Sequence, residues 1–303
     1  MNRKIKVAII IINFNGTEDT LECLESVDKF CVKHDYSVIL VDNASNNLID
    51  ETTLTEFKTE VKYIKSKKNL GFAGGNNLAV KYLADNNLDC KYVFLQNNDT
   101  VLIDNSVDRL VDKLEEDNVE IGGLVNYYYD CPSEMWQAGS YIRETKLSSK
   151  EARRFNPALD SLIFVDAIPG SSMLIKREVI RNVGLFDERY FAYYEEMDFC
   201  IRAKGNGYKV AFLPNTSILH KVGRSSTSKF KHYLRTRNTL LFYSLHFQRY
   251  MSTAYLRALL RTIREVLTGN FDWGFVSSFI SGVKDYRNHI FYEGHISSFQ
   301  KHK

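Results

Sequence analysis

A chain of 303 residues with 44% hydrophobic content can bury one large domain with an appendage, which excludes a disordered or fibrous class. Its five cysteines, Cys23, Cys31, Cys90, Cys131 and Cys200, are odd in number and contain no C-x-x-C pair. That excludes a disulfide framework or a cysteine-bound zinc as the organising element, and it fits a reducing cytoplasm. The net charge of +3 is unevenly spread, because residues 226–303 carry 12 Lys and Arg against 4 Asp and Glu. The tail is therefore an electrostatic object of its own, set on a mildly acidic body.

In chain order, the apolar run 7–12 is too short for a signal-peptide core or a membrane span and reads as a strand. A helical pattern through Leu21, Leu24 and Val27 follows the capping candidate Thr17, and residues 38–41 are a second continuous apolar run. Tyr63-Ile64, a helix over residues 75–84, a strand over 92–95, a helix over 106–114 and a strand over 121–125 continue the alternation. Continuous apolar runs read as parallel strands buried on both faces. The βαβ series predicts an open, doubly wound α/β sheet.

Ligands of such sheets bind beyond the carboxyl ends of the strands, and here those ends are polar. They read Asn13-Phe14-Asn15-Gly16, Asp42-Asn43-Ala44-Ser45, Asn69 to Asn76 with three glycines, and Gln96-Asn97-Asn98-Asp99. Turn chemistry accounts for any one of these loops; four on one edge read as a ligand crevice. Asp42 suits the imide N–H of a pyrimidine. Gly71, Gly74 and Gly75 permit close backbone approach at a helix N-terminus, although they follow the third strand and do not form the dinucleotide fingerprint after the first. Asp99 offers a hard oxygen to Mg2+ or Mn2+, with phosphates and water completing the shell.

Residues 127–162 break the rhythm with Tyr127-Tyr128-Tyr129, Trp136 and Arg153-Arg154. They read either as an acceptor surface or as an excursion packed on the sheet edge. The stretch YFAYYEEMDFCIRAKGNGY, residues 190–208, gathers Glu195, Glu196 and Asp198 at the predicted start of a helix whose buried side is Phe199, Cys200 and Ala203. The helix dipole lowers the pKa of such carboxylates, and crowding beside Tyr193 and Tyr194 raises it. In the tail, Leu256, Leu259, Leu260, Ile263, Val266 and Leu267 share a face with Arg257, Arg261 and Arg264 to its side. Trp273, Val276, Ile280 and Val283 form a second stripe. Amphipathic helices of this kind either pack on the catalytic domain or a second subunit, or lie on an anionic membrane.

The stretches VAIIIINFNGTEDTLECLESV, VILVDNASNN, NLGFAGGNN, YVFLQNNDT, GSSMLIKREVIRNVGLFDERYFAYYEEMDFCIRAKGNGYKV and HKVGRSS together resemble the family 2 glycosyltransferases with the GT-A fold. The nearest likeness is to their bacterial rhamnosyltransferase-like branch. The resemblance implies a Rossmann-like mixed, mostly parallel sheet flanked by helices, and the charge asymmetry divides the chain into a domain 1–225 and a basic amphipathic helical extension 226–303. It implies an inverting enzyme that moves a sugar, rhamnose favoured, from dTDP-rhamnose or a UDP-sugar to a hydroxyl of a glycan or polyprenyl-linked acceptor in cell-surface polysaccharide synthesis. The expected place of work is the cytoplasm and the inner face of the plasma membrane, with the extension touching lipid or forming a homodimer.

Carried over residue by residue, the family motifs place donor binding at Asn13, Asn15, Asp42, Asn69, Gly74, Asn98 and Arg224. Asp99 stands where the family has the metal-binding D-x-D aspartate, His220 is the second metal ligand, and Trp136, Gly170 and Ser171 lie on the acceptor side. Glu196 holds the place of the base, with Glu195 and Asp198 as supporting candidates. Two departures stand out. Asn97 replaces the first acid of the D-x-D, and Glu196 replaces an aspartate, a change of roughly 1.5 Å in reach worth about a hundredfold in rate. A nucleotidyltransferase would need a Gly-rich basic loop after the first strand. A nucleic-acid-binding module would need repeated basic-aromatic motifs in the tail. Neither pattern is present.

Overall fold

The structure is a computed structural model that describes residues 6–143, 148–152, 154–222, 228–268 and 271–291. The chain forms two compact units. One comprises the residues up to Phe186 together with Phe199–Val222; the other comprises Asp187–Asp198 and the described residues beyond 227. The boundary expected at residue 225 lies within an undescribed stretch. The short segment carrying Glu195, Glu196 and Asp198 groups with the C-terminal helices.

In chain order the first unit holds β1 (Lys6–Asn13), α1 (Thr17–Phe30), β2 (Asp35–Asp42), α2 (Glu51–Leu54), β3 (Glu60–Lys65), α3 (Gly71–Asp85), β4 (Tyr92–Asn97), β5 (Thr100–Leu102), α4 (Ser106–Glu116), β6 (Ile121–Gly123), β7 (Asn126–Tyr128), β8 (Met135–Gln137), β9 (Ser140–Arg143), β10 (Ser148–Glu151), β11 (Ile163–Phe164), β12 (Ser172–Lys176) and α5 (Arg177–Val183). Then α6 (Glu195–Gly205) runs across the unit boundary. It is followed by β13 (Val210–Phe212), β14 (Ile218–His220), α7 (Ser228–His246), α8 (Met251–Thr268) and α9 (Gly274–Arg287).

The main sheet has the order β11-β13-β6-β12-β4-β1-β2-β3. Its centre is parallel, as the uninterrupted apolar runs require: Ile9, Ile10 and Ile11 of β1 and Val38, Ile39, Leu40 and Val41 of β2 are all fully buried. Only β12, beside β4 and β6, and the edge strand β11 run antiparallel. Register aligns the polar strand ends, with Asn13 opposite Asp42 and Ile12 opposite Asn97. A second sheet, β5-β14-β7-β8, sets His220 opposite Thr100.

Two elements depart from the periodicity reading. Thr17 is the first helical residue of α1, with Gly16 in the cap position. Helix α3 starts at Gly71, earlier than expected, because its first turns are small residues that carry no apolar stripe. A Cβ on Gly75 would stand 3.0 Å from Ile12 Cγ2, so glycine lets this helix lie close against β1.

In the second unit α7 is the central helix, and its buried side includes a polar run, Thr236, Arg237, Asn238 and Thr239. Against it, α9 presents Gly282, where a Cβ would meet Tyr233 O at 2.9 Å. Tyr233 donates to Asp285 at 2.6 Å. Helix α8 buries Ala254, Ala258, Thr262 and Val266 and turns Leu256, Leu259, Leu260, Ile263 and Leu267 outward. The larger aliphatic residues of the stripe therefore do not form the packing face within this unit, because the alanine side allows the closer helix approach.

Candidate active site

The four polar strand ends form one hydrogen-bonded network. Asn13 Nδ2 donates to Asp42 Oδ2 at 3.0 Å, while Asn13 Oδ1 accepts from Gly16 N at 3.0 Å and Thr20 Oγ1 at 3.1 Å. Asp42 Oδ1 accepts from Ser45 N at 2.8 Å, and Ser45 Oγ accepts from Asn15 N at 2.9 Å. Asn43, which reading of the loops passed over, ties β2 to the start of α3. It donates to Asn69 Oδ1 and Gly71 O, both at 3.0 Å, and accepts from Leu70 N at 2.9 Å. Asn98 Nδ2 donates to Thr20 Oγ1 at 3.0 Å, and a Cβ on Gly16 would stand 2.7 Å from that nitrogen.

Backbone geometry is shaped by the same contacts. Asn15 and Ala44 adopt φ values of 56° and 66°, a region most side chains avoid; Asn15 Oδ1 accepts from Asn46 N at 2.8 Å and pins its loop. Asn13, Asp42 and Gly74 are buried, whereas Asn15 is exposed and Asn69 and Asn98 are partly so. The buried members brace the edge and the exposed ones offer polar atoms outward.

Asp99 stands at the end of this network. Its Oδ1 lies 3.2 Å from His220 Nε2, and Lys221 N donates to Asp99 O at 2.9 Å. Lys221 is itself buried and ion-paired to Asp19 at 2.6 Å and to Glu22, which anchors the end of β14. His220 Nδ1 and Asn97 Oδ1 are buried without a hydrogen-bond partner. Among the described residues no cluster of three or more His, Cys, Asp or Glu could hold a metal alone. One carboxylate with one imidazole and an unsatisfied amide oxygen fits a divalent cation that takes its remaining ligands from substrate and water.

Trp136, which is half-buried, and Ser171 each touch a neighbouring element of this site. The Trp136 ring stands edge-on to His220, 4.4 Å between centroids. Ser171 is buried and donates to Asn126 Oδ1 at 2.9 Å, while its carbonyl accepts from Asn97 N at 3.1 Å, and Gly170 is buried beside it. This loop braces the end of β4. Arg224, Ser225 and Arg153 lie outside the described residues.

The three carboxylates have distinct surroundings. Asp198 is buried, with Oδ1 2.7 Å from His246 Nε2 and 3.5 Å from the Tyr190 hydroxyl. Glu195 is buried with Oε2 lacking a partner. Burial first, and the charge of Glu196 second, push its carboxyl well above the ordinary range. Glu196 is only partly buried; burial raises its pKa as well, and its own backbone N–H and the Arg235 charge pull it partway back.

The backbone leading into α6 is strained. Phe191, Tyr193 and Tyr194 have φ of 64°, 72° and 82°, each costing about 1–3 kcal/mol outside glycine. Helix α7 holds the strain. Asn238 Nδ2 donates to the carbonyls of Tyr190, Ala192 and Tyr193, each at 2.8 Å, and Arg237 donates to those of Arg189 and Tyr190 at 3.0 and 2.9 Å. Neither residue stood out in the sequence, where they read as part of the basic tail. The available signal was the run Thr236-Arg237-Asn238-Thr239 within α7, three of whose four residues are poor helix formers.

Comparison with known proteins gives the following. The model of glycosyl transferase family 2 matches residues 8–184. The chain is 27% identical over 247 residues to the low-salt glycan biosynthesis hexosyltransferase Agl10 of Haloferax volcanii, covering 78% of this chain and 74% of that protein. It is 22% identical over 245 residues to the dTDP-rhamnosyl transferase RfbF of Shigella flexneri, covering 77% and 78%. Among solved structures, the mannosyltransferase PcManGT of Pyrobaculum calidifontis, in complex with GDP-Man and Mn2+, aligns with TM-score 0.59 at 12% identity over 94% of this chain and 88% of that one. GalNAc-T7 with UDP, GalNAc and Mn2+ aligns with TM-score 0.57 at 15% identity over 76% of this chain, which spans 48% of that transferase. Both likenesses are of fold.

Proposed function

This chain belongs to glycosyl transferase family 2, and from that membership we propose that it moves rhamnose from dTDP-rhamnose to a hydroxyl of a glycan or lipid-linked glycan, inverting the anomeric centre. The observation that carries the reading is the braced edge itself, in which polar side chains from four strand ends are held rigid by one another. The dTDP-rhamnosyl transferase among the relatives favours the donor, with UDP-sugars next.

On this reading Asn15, Asn69 and Asn98 contact the donor, and buried Asn13 and Asp42 fix them in place. Asp99 and His220 are the residues that would hold Mg2+ or Mn2+, with Asn97 Oδ1 free to join them; PcManGT and GalNAc-T7 were each solved with Mn2+. Bound there, the cation neutralises charge on the leaving diphosphate. Glu196 acts as base: its carboxylate takes the acceptor hydroxyl proton as that oxygen bonds to the anomeric carbon and the bond to the diphosphate breaks. Its partial exposure supports this role over Glu195, which is buried, and over Asp198, which His246 occupies. Trp136, Gly170 and Ser171 lie on the acceptor side, where Trp136 also packs on His220 and Ser171 braces β4.

Thermal-shift and NMR titration with dTDP-rhamnose and UDP-sugars, with and without Mn2+, test the reading. The expected result is stabilisation by dTDP-rhamnose that Mn2+ enhances. No stabilisation by any nucleotide sugar would sink it.

A further inference from the structure

Helix α8 exposes the wrong side for a soluble protein. Leu256, Leu260, Ile263 and Leu267 recur at intervals of four, three and four residues and lie on one stripe with Leu259 at its margin. They are 44–59% exposed. Beyond the helix Phe271 and Trp273 are 63% and 71% exposed, and on α9 Ile280 is 58% exposed. A run of exposed large apolar side chains along one helix face marks an interaction surface.

The charge pattern selects the partner. Arg257, Arg261 and Arg264 repeat the spacing of the leucine stripe one residue further on. Arg264 is exposed beside it, whereas Arg257 is half-buried and donates to the Tyr243 hydroxyl at 3.0 Å, and Arg261 is half-buried with Nη1 enclosed. The only acid of α8, Glu265, falls on the far side of the helix from the leucines. Exposed Lys284 and Arg287 of α9 add to the cationic character. A second copy would bring the same exposed Arg264 to the same face, where the neighbouring carboxylate, Asp272, is already paired with Lys229 at 2.8 Å, and like charges in contact oppose association. Phosphate headgroups above acyl chains supply both needs. No described helix is long and apolar enough to cross a membrane, so such a helix lies in the plane of the surface.

We infer that the outward face of α8, with Phe271 and Trp273 at its end, seats the protein on an anionic lipid surface. The leucines enter the headgroup boundary, and exposed Arg264 meets lipid phosphates at its margin. This inference does not rest on the transferase reading, because lipid binding is measured without donor or acceptor.

Co-sedimentation of the full chain tests it, using vesicles of phosphatidylglycerol in phosphatidylcholine against phosphatidylcholine alone. Binding to the mixed vesicles is expected to be stronger by on the order of tenfold and to weaken with salt. Leu260→Asp with Ile263→Asp should lower it by on the order of tenfold or more, and Arg264→Gln by about fivefold. In the unsubstituted protein the mixed vesicles should shift Trp273 emission to the blue, a shift absent in Trp273→Phe. No pelleting with either vesicle, no emission shift, or pelleting that the double aspartate variant leaves unchanged would overturn the inference. So would a dimer seen by light scattering that the same variant dissolves, with no lipid binding, which would assign the face to a second copy.

Discussion

Glu195 and Glu196 are neighbours in the chain, yet one is enclosed and the other reaches partly into solvent, so they answer pH differently. The Glu195 carboxyl has its pKa raised by folding. A raised carboxyl pKa means that the folded form holds its proton more tightly. The associated stability is complete below the ordinary value of 4.5 and is lost as pH rises through the folded value. Glu195→Gln removes that loss. Its melting temperature should exceed that of the parent by roughly 2 °C or more at neutral pH and converge with it below the ordinary glutamate pKa, as differential scanning calorimetry will show. Glu196→Gln should instead lower kcat by about 10²–10⁴ with donor affinity retained, and the acid limb of the parent's kcat/KM profile should lie above the ordinary glutamate range, following the upward shift of Glu196. At this scale the carboxylates were legible as a crowded acidic turn. Their division of surroundings was not, because burial of a given glutamate depends on packing that no local pattern records.

Among elements, the strands were legible and the helices only in part. Continuous β-branched runs announce β1 and β2 because burial on both faces leaves no position for a polar residue. Helix α3 hid its start behind Gly71, Gly74 and Gly75, the last of which lies against Ile12 of β1. For α8, periodicity revealed which residues share a face but not which face packs; the size of Ala254 and Ala258 decided that. The least legible element was the strained turn before α6, since its restraints come from a helix far along the chain. Asn238→Ala should therefore cost about 2 kcal/mol or more in urea denaturation, because the Ala192 and Tyr193 carbonyls lose its amide, while Tyr190 O keeps Arg237, and the positive-φ residues lose their support. Its kcat should fall while the Kd for the donor, measured by titration, stays the same.

At the scale of the whole chain, the cysteines divide by burial. Cys23, Cys31, Cys90 and Cys200 are buried and Cys131 is exposed, with no disulfide among them. Desolvation pushes the thiols of Cys23 and Cys31 upward, which makes them poor nucleophiles. Titration with a thiol-reactive chromophore should therefore consume about one equivalent in native protein and about five after unfolding. The Asn238 clamp has a further consequence for synthesis. Its amide follows Tyr193 by 45 residues, and every residue of the sheet-bearing unit precedes it. During translation the donor-side strands leave the ribosome first, the carboxylates next and their restraint last. A prematurely terminated chain ending before α7 would possess the polar strand ends and the proposed base, but not the Arg237 and Asn238 side chains that hold the turn before α6, so the shape of that turn would be conferred by the last quarter of the message to be read.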